Sequence, residues 1–425
     1  MAKPCCLMKI KMTKTAILTT LLTILCGGTA HAQSQTDGRP VDPDSRPRSV
    51  VISAQQKSSQ ASPIPAPGKT VNTPVEGAAQ RPGPAVDKPE TSRQLSPARI
   101  RVRISEVKRL MRSRPALTAM TSPALDYVTL AALQSETGSI HLLTLSKESF
   151  LTRGAELSLI TSLGTPVELR IVRANGVNTA VTIFDNQGRS LLPLLVEFPI
   201  ERRGVFRELA YYTSAHPALL SPELVRAGQS YVGTMVDLAA RRLRDRGISI
   251  APNLVPVAKR LCVVEHIDHD RFRLENRIAL FEEIYSLYAL NELETYRFSV
   301  SSAGAGGMVQ MIPWAYQLER QRHPNAGLNP DFVAGMRNHG NALEAMLLYM
   351  QDTWNDLAAN EDVRYALNAK LATEWELMAA GYNSNAAKLP GYLQRGGSAW
   401  RTLIPRETQM YLQIYKSFDS LVPAK

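Results

Sequence analysis

Between Gln33 and Ala98 the chain carries eleven of its 27 prolines and no Phe, Tyr or Trp. Such a stretch cannot bury enough apolar surface to offset the entropy of ordering it, so the sequence predicts a disordered, extended tether over residues 33–98. A tether of that length reaches roughly 45 Å as a coil and about 200 Å when extended. Folding is therefore confined to the residues that follow. These are still numerous enough for more than one module, and the apolar content of 44% is ample for buried cores.

Ahead of the tether, Lys9, Lys11 and Lys14 precede the apolar run Ala16–Cys26, which ends in Gly27, Gly28 and the small-residue pattern Ala30-His31-Ala32. This order predicts a secretory signal over residues 1–32 cut after Ala32, the run being too short for a permanent membrane crossing. An outer-membrane lipoprotein anchored at Cys26 is the second reading, disfavoured by the bulky Leu25 beside it. Loss of four lysines and no acid lowers the net charge from +11 to +7 and leaves Cys262 as the one mature cysteine. A single cysteine closes no internal disulfide, so cohesion must come from packing, and Cys262 within Leu261–Val264 reads as a small buried hydrophobe. No later stretch is long and apolar enough to suggest a membrane span. The expected location is periplasmic or secreted.

The mature chain changes texture as it proceeds. Arg99, Arg101, Arg103, Lys108, Arg109, Arg112 and Arg114 crowd one stretch against Glu106, and read as a solvated helix or strand edge, with an anionic-surface contact as the rival. Without interleaved aromatics, and in a secreted chain, nucleic acid is not the expected partner. From Tyr127 to Ile200 the pattern is β: Val167–Val172 and Val177–Phe184 flank Asn175-Gly176, a pair suited to a tight hairpin turn. Residues 99–205 thus form a small β-rich module with a basic leading segment. Ser221-Pro222-Glu223 then opens a helical half, with apolar periodicity over 255–264, 278–290, 342–357, 371–380 and 407–418. The fold class is α+β, with a mostly α region over 206–425 whose core spans about 255–420.

One irregular insertion interrupts the helices. Ser299–Pro313 contains three glycines in four positions, Gly304, Gly306 and Gly307, followed by the polar Gln310 between Val309 and Met311. The glycines demand a tight bend or a close approach, and Gln310 requires a polar partner if buried; an open groove is one source. Further on stand Tyr382-Asn383 and Glu407-Thr408 with Tyr411.

In this order and spacing the motifs resemble those of the soluble lytic transglycosylases, a family with the goose-type lysozyme fold that cleaves bacterial peptidoglycan. Its members show a Glu-Ser pair, then Ser-x-x-Gly-Ala-x-Gly-Leu-Met-Gln, Ala-Tyr-Asn-x-Gly and Glu-Thr-x-x-Tyr; Ser301, Gly304, Ala305, Gly307, Met308 and Gln310 fall in register with the second. The resemblance covers the C-terminal third to 40% of the chain and implies a lysozyme-like domain, peptidoglycan strands as substrate and no cofactor. It also implies places in the glycan groove for Ser301, Gln310, Tyr382 and Asn383, with Glu407 and Tyr411 in support. For Tyr411 core packing with a satisfied hydroxyl is the favoured alternative.

The family acid lies twelve residues before the Gly-Ala pair, which without a gap is Glu292, at the end of the apolar helical run Leu280–Leu290. Glu265 also ends an apolar helix, and a long insertion before Ser301 would give it the same role; Glu294-Thr295 imitates the Glu-Ser pair two residues late. The family chemistry needs one carboxyl group, acting first as acid on the MurNAc–GlcNAc linkage and then as base on the C6 hydroxyl of MurNAc, to leave a 1,6-anhydro end. An acid in that role must hold its proton near neutrality, which partial desolvation favours. The competing readings are a non-catalytic wall-binding scaffold, because Leu293 replaces the usual Ser, and a muramidase with Glu294 holding water. Glu265-His266-Ile267-Asp268-His269 lacks a distant third-ligand motif and reads as a pH-sensitive polar cluster in preference to a metal site.

Overall fold

The computed structural model describes residues 95–113, 125–202, 204–301 and 303–422. The expected signal, Cys26 and the tether up to residue 94 lie outside the described residues. Among the described residues no helix is long and apolar enough to cross a membrane.

The basic stretch folds as α1 (Pro97–Ser113), beginning inside the last residues assigned to the tether. Ile100, Ile104, Val107 and Met111 recur at helical spacing and are buried, which gives the helix an apolar face that its cations obscure in the sequence. Several of those cations find acids within the chain: Arg101 meets Glu292 at 3.2 Å, Arg103 meets Glu106 at 2.8 Å and Lys108 meets Glu294 at 3.8 Å.

Among the described residues seven strands follow, with one short helix among them: β1 (Tyr127–Leu133), β2 (Ile140–Ser146), α2 (Lys147–Phe150), β3 (Glu156–Ile160), β4 (Pro166–Arg173), β5 (Ala180–Asp185), β6 (Ser190–Arg202) and β7 (Val205–Tyr212). They form an antiparallel sheet in the order β2-β1-β6-β5-β4-β3, with β7 also paired to β6. β6 serves three neighbours along its length, and its register against β1 shifts between Ala131 and Ala132, opposite Leu195 and Pro193. Pro193 has no N–H to give the ladder, and a bulge is where a strand tolerates that loss. The β4–β5 hairpin forms as its alternating pattern predicts, yet β5 begins only at Ala180, so the connection is longer than the two-residue turn expected around Asn175-Gly176. The sheet also continues past residue 205. β7 escapes a sequence reading because Val205, Phe206 and Leu209 are exposed and break the in-out alternation.

The remaining helices are α3 (Pro222–Asp245), α4 (Leu254–Val264), α5 (His269–Leu274), α6 (Arg277–Asn291), α7 (Pro313–Arg322), α8 (Phe332–Arg337), α9 (His339–Ala359), α10 (Glu361–Asn368), α11 (Glu374–Asn383), α12 (Leu389–Gly396) and α13 (Arg406–Leu421). Ser221 caps α3 by accepting from the Leu224 N–H, and Gly247, at φ +79°, follows its end. α3 crosses α6 closely at Gly228, where a Cβ would lie 1.8 Å from the Tyr285 carbonyl oxygen. α9 runs through the middle of the helical half: Ala342 to Leu348 are buried without a break, which a helix requires when neighbours cover it all round.

Sheet and helices share one core, running from Val128 on β1 to Phe418 on α13. Arg173 on β4 joins Glu283 on α6 at 2.6 Å, and Arg271 on α5 meets the same carboxylate at 2.9 Å. These cations hold Glu283 below the usual carboxylate range despite its burial. Cys262 is buried and unbridged, and burial pushes its thiol up. His216 and His339, both of loop-like appearance in the sequence, are buried; His339 opens α9.

Candidate active site

Residues Ser299–Ile312 fold into a compact loop between a helical turn and α7. Isolated bridges pair Val300 with Gly306 and Gly306 with Met311, while Ser301 Oγ accepts from the Ala305 N–H at 3.0 Å. Gly304 (φ +78°) and Gly307 (φ +71°) take the left-handed conformation, and a Cβ on Gly307 would lie 2.8 Å from the Met336 carbonyl oxygen. Both demands that the glycine pattern implied, bending and close approach, are met here. Gln310 also has positive φ, +46°, a strained conformation for a residue with a side chain. Its amide nitrogen donates to the Gly307 carbonyl at 2.8 Å and lies near Ser299. The loop's own backbone, and not an open groove alone, supplies its partner.

Two elements hold this loop directly, and α13 in turn braces both of them. From the end of α4, His266 Nε2 donates to the Met308 carbonyl at 2.9 Å while its ring stacks on Tyr296, centroids 3.6 Å apart. Burial draws this imidazole down to about 4. It is thus neutral at physiological pH. From α11, the buried Tyr382 donates its hydroxyl to the Val309 carbonyl at 2.7 Å, so its visible role is to prop the loop. Asn383, next in the chain, accepts from Thr408 on α13 at 2.9 Å. One turn beyond Thr408, the buried Tyr411 donates to Glu265 Oε1 at 2.6 Å. Glu407 is partly buried in the first turn of the same helix.

Glu265, Tyr411, Asn383, Tyr382 and the glycine loop are thereby linked into one network, with Ser301 and Gln310 inside the loop. Glu265 is the C-cap of α4, next to the histidine that holds the loop. The other two acids have different company. Glu292, 51% exposed and at φ +43°, pairs with Arg101 on α1; Glu294 pairs with Arg297 at 2.9 Å and with Lys108. Their carboxylates pin α1 to the turn after α6. A shallow surface concavity of about 330 Å³ lies just past Asn383, lined by Ala387, Lys388, Gly391, Tyr392 and Arg395, and includes none of the three acids.

Two members of the network escape the motif reading. Thr408 is visible as the second residue of the Glu-Thr pair, but its bond to Asn383 spans 25 residues and leaves no local trace. His266 stands directly after Glu265, and its bond to the Met308 carbonyl spans 42 residues and leaves no local trace either.

Compared with family models, with curated proteins and with solved structures, the chain matches none.

Proposed function

We propose that the chain is a secreted peptidoglycan lytic transglycosylase with a lysozyme-like helical domain, and that Glu265 is its acid. The observation that carries this reading is the 2.6 Å bond from Tyr411 to Glu265, joining a helix-end acid to the last of the four motif elements. The preference for Glu265 over Glu292 and Glu294 follows from their surroundings. Glu265 is bonded to a residue of the motif, whereas the carboxylates of Glu292 and Glu294 are engaged by Arg101, Arg297 and Lys108.

In this mechanism the Glu265 carboxylic acid protonates the oxygen bridging MurNAc C1 to GlcNAc, and that bond breaks. The resulting carboxylate takes the proton of the MurNAc C6 hydroxyl as its oxygen closes on C1. The 1,6-anhydro ring forms, the glutamate regains its proton and no water is consumed. Tyr411 fixes one carboxyl oxygen, which keeps the acid within reach of the glycosidic oxygen in both half-steps. On this reading Ser301, Gln310 and Asn383 are the polar groups that would meet the N-acetyl sugars.

Mass spectra of purified sacculi digested with the protein separate the alternatives. Anhydro-MurNAc ends are expected. Reducing ends would assign hydrolysis, and no soluble fragments would assign a wall-binding scaffold.

A further inference from the structure

Glu319 lies on the buried side of α7, its side chain fully shielded from solvent, and neither carboxyl oxygen has a hydrogen-bond partner. A buried carboxyl group without partners is costly whichever form it takes, because the anion lacks donors and the neutral acid lacks an acceptor for its hydroxyl. His323, one turn on at the C-cap of the same helix, holds Nε2 3.6 Å from Glu319 Oε2. Asp352, on the facing side of α9, holds Oδ2 3.1 Å from the same Nε2. One ligand atom from each of the three lies within 4.8 Å of the others.

We propose that Glu319, His323 and Asp352 bind a divalent transition-metal ion, zinc by preference, that clamps α7 to α9. Tetrahedral zinc with bonds of about 2.0–2.2 Å sets its ligand atoms roughly 3.3–3.6 Å apart, and the separations of 3.1 and 3.6 Å bracket that spacing. One imidazole and two carboxylates suit zinc better than calcium or magnesium, which take oxygen ligands. His323 and Asp352 are 22% and 19% exposed, so water can reach the fourth position. Arg322 Nη1, 3.3 Å from Asp352 Oδ2, shares that carboxylate and offsets part of its charge. The site is structural in this assignment: α7 begins at Pro313, immediately after the glycine loop, and the ion would fix the helix that receives it.

The test uses the untagged full-length protein, stripped with chelator and then given zinc chloride. After gel filtration, elemental analysis should find about one zinc per chain, and the thermal midpoint should rise by several degrees over the stripped form. Glu319→Gln, which preserves shape, and His323→Ala should each weaken zinc binding by roughly 100-fold or more and abolish the shift. Substoichiometric zinc in the native protein, equal retention in the Glu319→Gln/His323→Ala double variant, or equal retention of calcium would overturn the assignment. Circular dichroism of Glu319→Gln ensures that lost binding is not lost folding.

Discussion

Tyr411 reaches Glu265 across 146 residues of chain, and such a contact is made by the fold alone. Replacing Tyr411 with Phe removes the donor and keeps the ring. If Glu265 is the acid as proposed, a hydrogen bond to its carboxyl group is worth about 1–3 kcal/mol, so turnover should fall roughly tenfold or more while the unfolding midpoint moves little. Unchanged turnover would mean that the tyrosine only packs. The same residues show what a sequence can disclose. Glu265 is legible as a polar end to an apolar helix, yet so are Glu292 and Glu294, and motif spacing favours Glu292. The bond from Tyr411 singles out Glu265, while Glu292 and Glu294 sit with Arg101, Lys108 and Arg297; of these cations Arg297, three residues from Glu294, is near its partner in the linear chain, and Arg101 and Lys108 are not.

For whole elements, two glycines govern how the helices and the loop meet. Ala at Gly307 would combine an unfavourable φ of +71° with a Cβ 2.8 Å from the Met336 carbonyl oxygen. The expected cost is about 1–3 kcal/mol, and the proposed glycan cleavage should fall alongside as the loop shifts. Ala at Gly228 meets the backbone of Tyr285 at 1.8 Å and must push α3 from α6, at about 3 kcal/mol. Urea unfolding of both variants checks these values; native-like midpoints would show that the crossings are looser than described. The periodic helices α4, α6, α9, α11 and α13 were legible because each has one apolar face or a continuous apolar run. α1 and β7 were not, since arginines mask the first and exposed apolar residues blur the second. Glu319 and His323 stand four apart and so share a helix face, a visible signal, but Asp352 comes from a different helix.

Among the described residues, burial holds several histidines below the usual imidazole range. Burial lowers His216 to about 3, and His266 and His339 to about 4, against 6.5 when unfolded. Between those values the unfolded chain binds more protons, so these groups stabilise the fold above about pH 6.5 and lose that contribution as pH falls toward 4. At pH 5 the loss is on the order of 1–2 kcal/mol for each histidine. Urea midpoints should therefore drop between pH 7 and pH 5, and a His339→Gln variant that still folds should show a shallower drop. An equal slope in that variant would contradict the assignment. The shared core was the least legible feature: the texture change near residue 205 suggested separate modules, whereas Tyr212 packs edge-on against Phe298 and Arg173 reaches Glu283 across it.

Purified sacculi treated with Glu265→Gln or with Glu292→Gln, and scored for anhydro-muropeptides, decide whether the acid has been found. The first variant should release none while retaining its circular dichroism spectrum, and the second should release them at close to the native rate. Native release by the Glu265 variant, with loss in the Glu292 variant, would move the chemistry to the turn beside α1.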